Sequence, residues 1–324
     1  MKTVVCLGEM LIDFVPTENG VSLAQASAFV KAAGGAPANV AVGLARLGCS
    51  SAFLGMLGAD AFGDWLRAVL VENGVAVQGL RQTEAARTAL AFVTLRADGE
   101  REFLFFRNPS ADMFYSPADV DVATIQTAGC LHYGSISLID PLPRAATLHA
   151  LAIAGQAQVL RAYDPNLRLA LWPDQAAAQT GLRLGFEFAD LVKISADELY
   201  FLTQESDILS AVAQLWLPHF KLVVVTLGRA GCWYITPDFA GQVAGFVVPA
   251  IDATGAGDAF WAGLLSQILA DSTALTDEWA LRRACQFANA SGALATTQRG
   301  AIPALPTHAA VAAFLHQSIL PSAA

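Results

Sequence analysis

The sequence predicts an α/β fold: a mostly parallel sheet covered by helices on both faces in three layers, with a small antiparallel sheet beside it. Short apolar runs of strand character alternate with helix-period segments along the chain, the pattern of strands joined by helical crossovers. One stretch breaks the alternation with two neighbouring strand-like runs around Asp98-Gly99, a pair that favours a tight hairpin turn. With 324 residues, 55% hydrophobic and 15% charged, the chain can bury a full core and is too apolar to be disordered.

In order, Val4–Leu7 reads as a strand followed by a helix over 36–47, then Ser51–Met56 with 61–72, and Cys130–Gly134 with 141–154. Strands at Val159–Tyr163, Leu191–Ile194 and Leu222–Thr226 continue the series. Val21–Val30, Thr88–Leu95 and Arg101–Phe106 supply the small sheet, the last two joined by a turn at Ala97–Glu100. That sheet could be a lid, a dimer surface or a cover over apolar helices. No repeat or long linker interrupts the chain, so 1–324 reads as one domain, with the lid sheet contributed by about 14–31 and 86–108. Ligands of such sheets gather beyond the carboxyl ends of the strands, which directs attention to the loops.

Residues 252 to 258, Asp-Ala-Thr-Gly-Ala-Gly-Asp, run straight into an apolar helix. Free N–H groups at a helix start attract anions, and glycines let a phosphate approach them; a tight turn with Asp258 as first-turn charge is the structural alternative. The dinucleotide fingerprint fails because Phe260 occupies the place of its third glycine, and Gly58 and Gly63 are followed by Asp64-Trp65 where a phosphate loop needs Lys and a hydroxyl. Gly34-Gly35 and Asn39 at a helix start, with Asp13 after the first strand, make a plausible grip for a polyol or simply helix-start chemistry. Ser195 to Glu198 has capping-box spacing, and Glu198 could also orient water around magnesium. Thr226 to Gly231 could shape a nucleotide loop or only a hairpin turn, and Asp164, Asn166 and Arg168 follow another strand, with Arg168 able to pair with phosphate oxygens.

Composition narrows the class. A net charge of −9 without Lys/Arg clusters argues against a nucleic-acid surface. The uncharged stretch 300–324 holds Pro303, Pro306 and Pro321, so it does not read as a membrane span, and Glu9 and Asp13 interrupt any signal-peptide core. Five scattered cysteines read as buried thiols, His132 as a core residue, and the expected location is cytoplasmic.

Taken together, Gly34 to Gly48, Leu57 to Gly63 and Asp252 to Asp258 resemble the two signatures of the ribokinase-like, or PfkB, family of carbohydrate kinases, over essentially the whole chain. Arg107 to Met113, Tyr163 to Arg168 and Gly300 to Pro306 look most like bacterial fructokinases of that family. The resemblance implies a ribokinase-like three-layer sandwich and transfer of the γ-phosphoryl of ATP to the 6-hydroxyl of D-fructose. It implies Asp258 as base, with Gly255, Ala256 and Gly257 as the anion hole. Asp13, Gly34, Gly35, Asn39 and Arg168 would hold substrate, with Phe105 and Arg107 closing over it. Thr226, Gly228, Gly231 and Asn289 would lie along ATP. Glu198 would reach Mg2+ through water, and Asp252 and Thr254 with carbonyls near Ala295 and Gly300 would bind K+. Two departures stand out: Ala253 replaces a usual Thr, and Ser195 replaces the Asn of an Asn-x-x-Glu motif. The alternatives are a 2-keto-3-deoxygluconate kinase and a non-catalytic sugar-binding regulator. The expected partner is a small sugar, with neither nucleic acid nor membrane, and a homodimer through the lid sheet is possible on this reading.

Overall fold

The computed structural model describes residues 2–18, 20–95, 101–271 and 273–319. Along the chain come β1 (Val4–Leu7), β2 (Leu11–Pro16), β3 (Phe29–Gly34), α1 (Ala36–Arg46), β4 (Ser51–Gly58), α2 (Ala61–Glu72), β5 (Leu80–Thr83), β6 (Leu90–Leu95) and β7 (Arg101–Phe106). They are followed by α3 (Val122–Gln126), β8 (Cys130–Gly134), α4 (Pro141–Gln156), β9 (Leu160–Asp164), α5 (Gln175–Phe186), β10 (Leu191–Ser195), α6 (Ala196–Thr203) and α7 (Ile208–Leu215). The last third holds β11 (Leu222–Thr226), β12 (Gly231–Ile235), β13 (Ala240–Ala244), α8 (Ala256–Ala270), α9 (Glu278–Ala295), α10 (Ala301–Ala304) and α11 (His308–Ile319).

The main sheet has nine strands in the order β13-β12-β11-β10-β9-β8-β1-β4-β5, parallel from β11 to β5 and antiparallel at β12 and β13. Alternation along a strand feeds both faces. Val4 and Cys6 of β1 join one core with α1, α8 and α9, whereas Val5 and Leu7 join the other with α4 and α5. The α8 helix is buried from Asp258 through Ser266, as expected of a helix enclosed on all sides. Trp261 Nε1 donates to His132 Nδ1 on β8 at 3.1 Å. His132 is therefore a core residue, and burial pushes its pKa down to about 3.

The second sheet runs β3-β2-β6-β7. Its two outer pairs are antiparallel, but β2 and β6 pair in parallel. The reason is topological: both strands are fed from the carboxyl ends of parallel strands of the main sheet, β2 by β1 and β6 by β5. Its β3 strand occupies Phe29–Gly34, so the expected Val21–Val30 strand is displaced toward α1. The expected turn at Ala97–Glu100 lies outside the described residues. Among the described residues no helix is long and apolar enough to cross a membrane, and all five cysteines are buried and free.

Candidate active site

Two helix starts meet above the sheet. Gly35 caps α1 at φ 105°, where a Cβ would lie 2.5 Å from the Glu9 carbonyl oxygen. Gly255 caps α8 at φ 77°, in the left-handed region that glycine tolerates. Farther along, a Cβ on Gly43 would stand 2.8 Å from that of Ala262, so α1 and α8 are in near-backbone contact. One turn back on each helix lie Asn39 and Asp258, and this crossing sets their distance: Asn39 Nδ2 donates to Asp258 Oδ2 at 2.8 Å. Asn166 Nδ2 reaches the other oxygen, Oδ1, at 3.3 Å. Both oxygens of the buried Asp258 are thus oriented by amides.

Among the described residues no backbone carbonyl accepts from the Gly257 or Asp258 N–H, while Ala256 N–H makes a 3.3 Å bond to the Ala253 carbonyl. The first turn of α8 therefore presents donors to an anion. Burial raises the pKa of Asp258 above its usual value, against the pull of Lys193, the Asn39 amide and Arg168.

Asp13 projects from β2 into the space left by Gly34, whose Cβ would fall on the carboxylate, 2.1 Å from Oδ2. Burial pushes its pKa up to about 7, with Arg168 lowering it and the Asp258 charge raising it. Asp13, Arg168 and Asp258 therefore share one electrostatic field. Phe105 lies on the same sheet face as Asp13, two strands away in the row Asp13–Ala91–Phe105.

Arg107 stands at the foot of β7, buried. Its Nε bonds Asp112 at 2.7 Å and its Nη1 meets Asp140 at 3.3 Å, leaving Nη2 without a protein partner. Glu9 lies in the same field and accepts from Ala36 N–H at 3.2 Å; burial pushes its pKa up to about 7.

Strands β9 and β10 carry a pair of which the sequence singled out only Asp164. Lys193 Nζ donates to Asp164 Oδ2 at 2.6 Å, both buried, and Asp164 Oδ1 has no partner. The signal was a single charge inside the strand Leu191–Ser195, because lysines are rarely buried unless paired. Glu198 makes the expected capping box with Ser195, and its other oxygen accepts from Leu167 N–H at 2.7 Å, tying the Asn166 loop to α6.

The nucleotide and cation candidates also come together. Gly231 pairs with Ala244, and Asn289 Nδ2 donates to the carbonyls of Val243 and Ala244 at 3.2 Å each, so Thr226–Gly231 and Asn289 flank one strand end. Leu227 N–H bonds the Gly231 carbonyl, so the Gly228 loop is also the hairpin turn between β11 and β12. Asp252 accepts from the Thr254 N–H and hydroxyl through Oδ1 and from Gly300 N–H through Oδ2, gathering these residues at the end of α9, where Ala295 lies. Among the described residues no cluster of three His, Cys, Asp or Glu side chains is placed to hold a metal.

Residues 1–308 match the family model of the pfkB family carbohydrate kinases. The chain is 53% identical to fructokinase-2 of Solanum lycopersicum over 305 residues, 94% of this chain and 93% of that protein. Its structure is similar to that of a fructokinase from Xylella fastidiosa with bound ATP, at TM-score 0.89 and 36% identity over 98% of each chain. It is also similar to a fructokinase double mutant from Vibrio cholerae O395 in its fructose, ADP and potassium ion bound form. There the TM-score is 0.88 and the identity 38%, over 97% of this chain and 98% of that one.

Proposed function

From the premise that this chain belongs to the pfkB family of carbohydrate kinases, we propose that it transfers the γ-phosphoryl of ATP to the 6-hydroxyl of D-fructose, with Asp258 as base. The observation that carries this reading is the Asn39–Asp258–Asn166 arrangement beside the open N–H groups of α8. It sets a carboxylate that can take a hydroxyl proton next to donors that can take a phosphate.

The chemistry follows from what these groups can do. The 6-hydroxyl gives its proton to Asp258 as its oxygen bonds to the γ-phosphorus, and the bond to the β-phosphate oxygen breaks to release ADP. A base with its pKa raised by burial is better matched to that proton than a free carboxylate. The Gly255–Gly257 turn would hold the phosphoryl oxygens through N–H groups that need no reorganisation. Asp13, Gly34, Gly35, Asn39 and Arg168 would bind the sugar, and the unpartnered Asn39 Oδ1 and Arg107 Nη2 fit hydroxyl groups that donate and accept. Phe105 would pack on the sugar from the lid face that carries Asp13. Thr226, Gly228, Gly231 and Asn289 would line ATP.

Both Glu198 oxygens already accept protein hydrogen bonds, which suits contact with Mg2+ through water better than direct ligation. Magnesium, when bound, neutralises charge on the phosphate oxygens. The Asp252, Thr254 and Gly300 cluster, with carbonyls near Ala295, suits K+. Arg107 faces three carboxylates, Asp112, Asp140 and Glu9, which disfavours an anionic substrate such as 2-keto-3-deoxygluconate. An intact base and anion hole disfavour a purely regulatory protein. Five buried free thiols suit a reducing compartment such as the cytoplasm.

Coupled ADP-release assays on fructose, ribose, adenosine and 2-keto-3-deoxygluconate test the reading, with NMR of the product to locate the phosphate. Fructose should give the highest kcat/KM and phosphorus coupled to the C6 protons. Preference for the keto acid, or binding of sugar without ADP release, would replace it with one of the alternatives.

A further inference from the structure

Lys193 is one of four lysines in the chain, and it is buried where Lys2, Lys31 and Lys221 are exposed. Its ammonium ends beside the anion turn: a Cβ on Gly257 would stand 3.0 Å from Lys193 Nζ. The same Nζ is held by Asp164 at 2.6 Å, and Glu198 and Asp258 add their fields to it. An ammonium has three N–H donors, and Asp164 is its one hydrogen-bond partner among the described residues.

From this geometry we infer that Lys193 is a catalytic residue that contacts the γ-phosphoryl group at the Gly257 N–H, with Asp164 as the residue that positions it. The inference rests on the phosphotransfer reading above. It adds a fixed positive charge to a turn that otherwise offers only N–H dipoles, at the place where phosphoryl oxygens would lie. A glycine at 257 is then explained twice, since a side chain there would obstruct both the phosphate and the ammonium. Burying a charge this deeply is costly for stability alone, and the Lys193–Asp164 pair leaves Asp164 Oδ1 unbonded.

The test has two arms. In the double variant Lys193→Met, Asp164→Asn, which removes both charges together so that neither is left unpaired, kcat should fall at least 100-fold while KM for the sugar changes less than threefold. Without sugar, calorimetry should show that a non-hydrolysable ATP analogue loses at least tenfold in affinity and ADP less than threefold. In the unmodified protein labelled with 15N-lysine, the protected ammonium signal of Lys193 should shift with the ATP analogue and stay in place with ADP. Equal losses for analogue and ADP, or a signal indifferent to the γ-phosphate, would overturn the inference. Neither binding readout depends on turnover. A wild-type protein inactive on every sugar would therefore refute the phosphotransfer reading while leaving the Lys193 contact separately measurable.

Discussion

At the level of single residues, the site is a set of carboxyl groups taken out of water and only partly compensated. Glu9 and Asp13 both have pKa values pushed up to about 7 by burial, far above the free values of about 4. In that interval the folded chain holds protons that the unfolded chain has lost, so stability falls as pH rises, by up to about 1.4 kcal/mol per pH unit for each group. The unfolding temperature of the ligand-free protein should therefore be higher at pH 6 than at pH 8, and Asp13→Asn should flatten the trend. Sugar binding should move the other way, with KM for fructose rising as pH drops below 7, since hydroxyl donors need the ionised Asp13. A KM unchanged from pH 8 to pH 6 would contradict the placement of Asp13 against the sugar.

At the level of elements, the α1–α8 crossing fixes the Asn39–Asp258 distance. Gly43→Val should push α8 outward, cost about 1–3 kcal/mol of stability as overpacking does, and lower kcat more than it raises KM. A stable variant with normal kcat would show that the crossing does not set the Asn39–Asp258 contact. The sequence made much of this legible: glycine turns ahead of helices marked Gly35 and Gly255, and apolar runs marked β1, β4, β8, β9, β10 and β11 of the main sheet within a residue or two, but not the outer strands β5, β12 and β13. The β3 strand was missed by several residues because Val21, Val30 and the alanines between them do not alternate clearly. Lys193–Asp164 and Arg107–Asp112–Asp140 were not visible because each joins residues from separate elements or loops whose distance only the fold decides.

At the level of the whole molecule, the second sheet has two different faces. One carries Asp13 and Phe105. The other carries Phe14, Phe92, Leu104 and Phe106, joined by a stack of Phe14 on Phe92 at 4.9 Å and an edge contact of Phe92 with Phe106 at 5.6 Å. Phe106 remains 55% exposed and Leu104 49%, so this apolar face is partly left in water. The homodimer that the sequence allows through this sheet would cover this face. Sedimentation should give a dimer for the wild type and a monomer for Leu104→Asp, Phe106→Asp; a wild-type monomer would rule the surface out.

If Asp258 takes the proton from the sugar hydroxyl, Asp258→Asn removes the base while keeping the shape of the side chain and, through its one carbonyl oxygen, one of the two amide contacts from Asn39 and Asn166. Turnover of ATP with saturating fructose should fall about 10²- to 10⁴-fold, the usual range for a lost general base, while fructose binding and thermal stability stay near wild type. Turnover within tenfold of the wild type in a folded, fructose-binding variant would show that Asp258 is not the base.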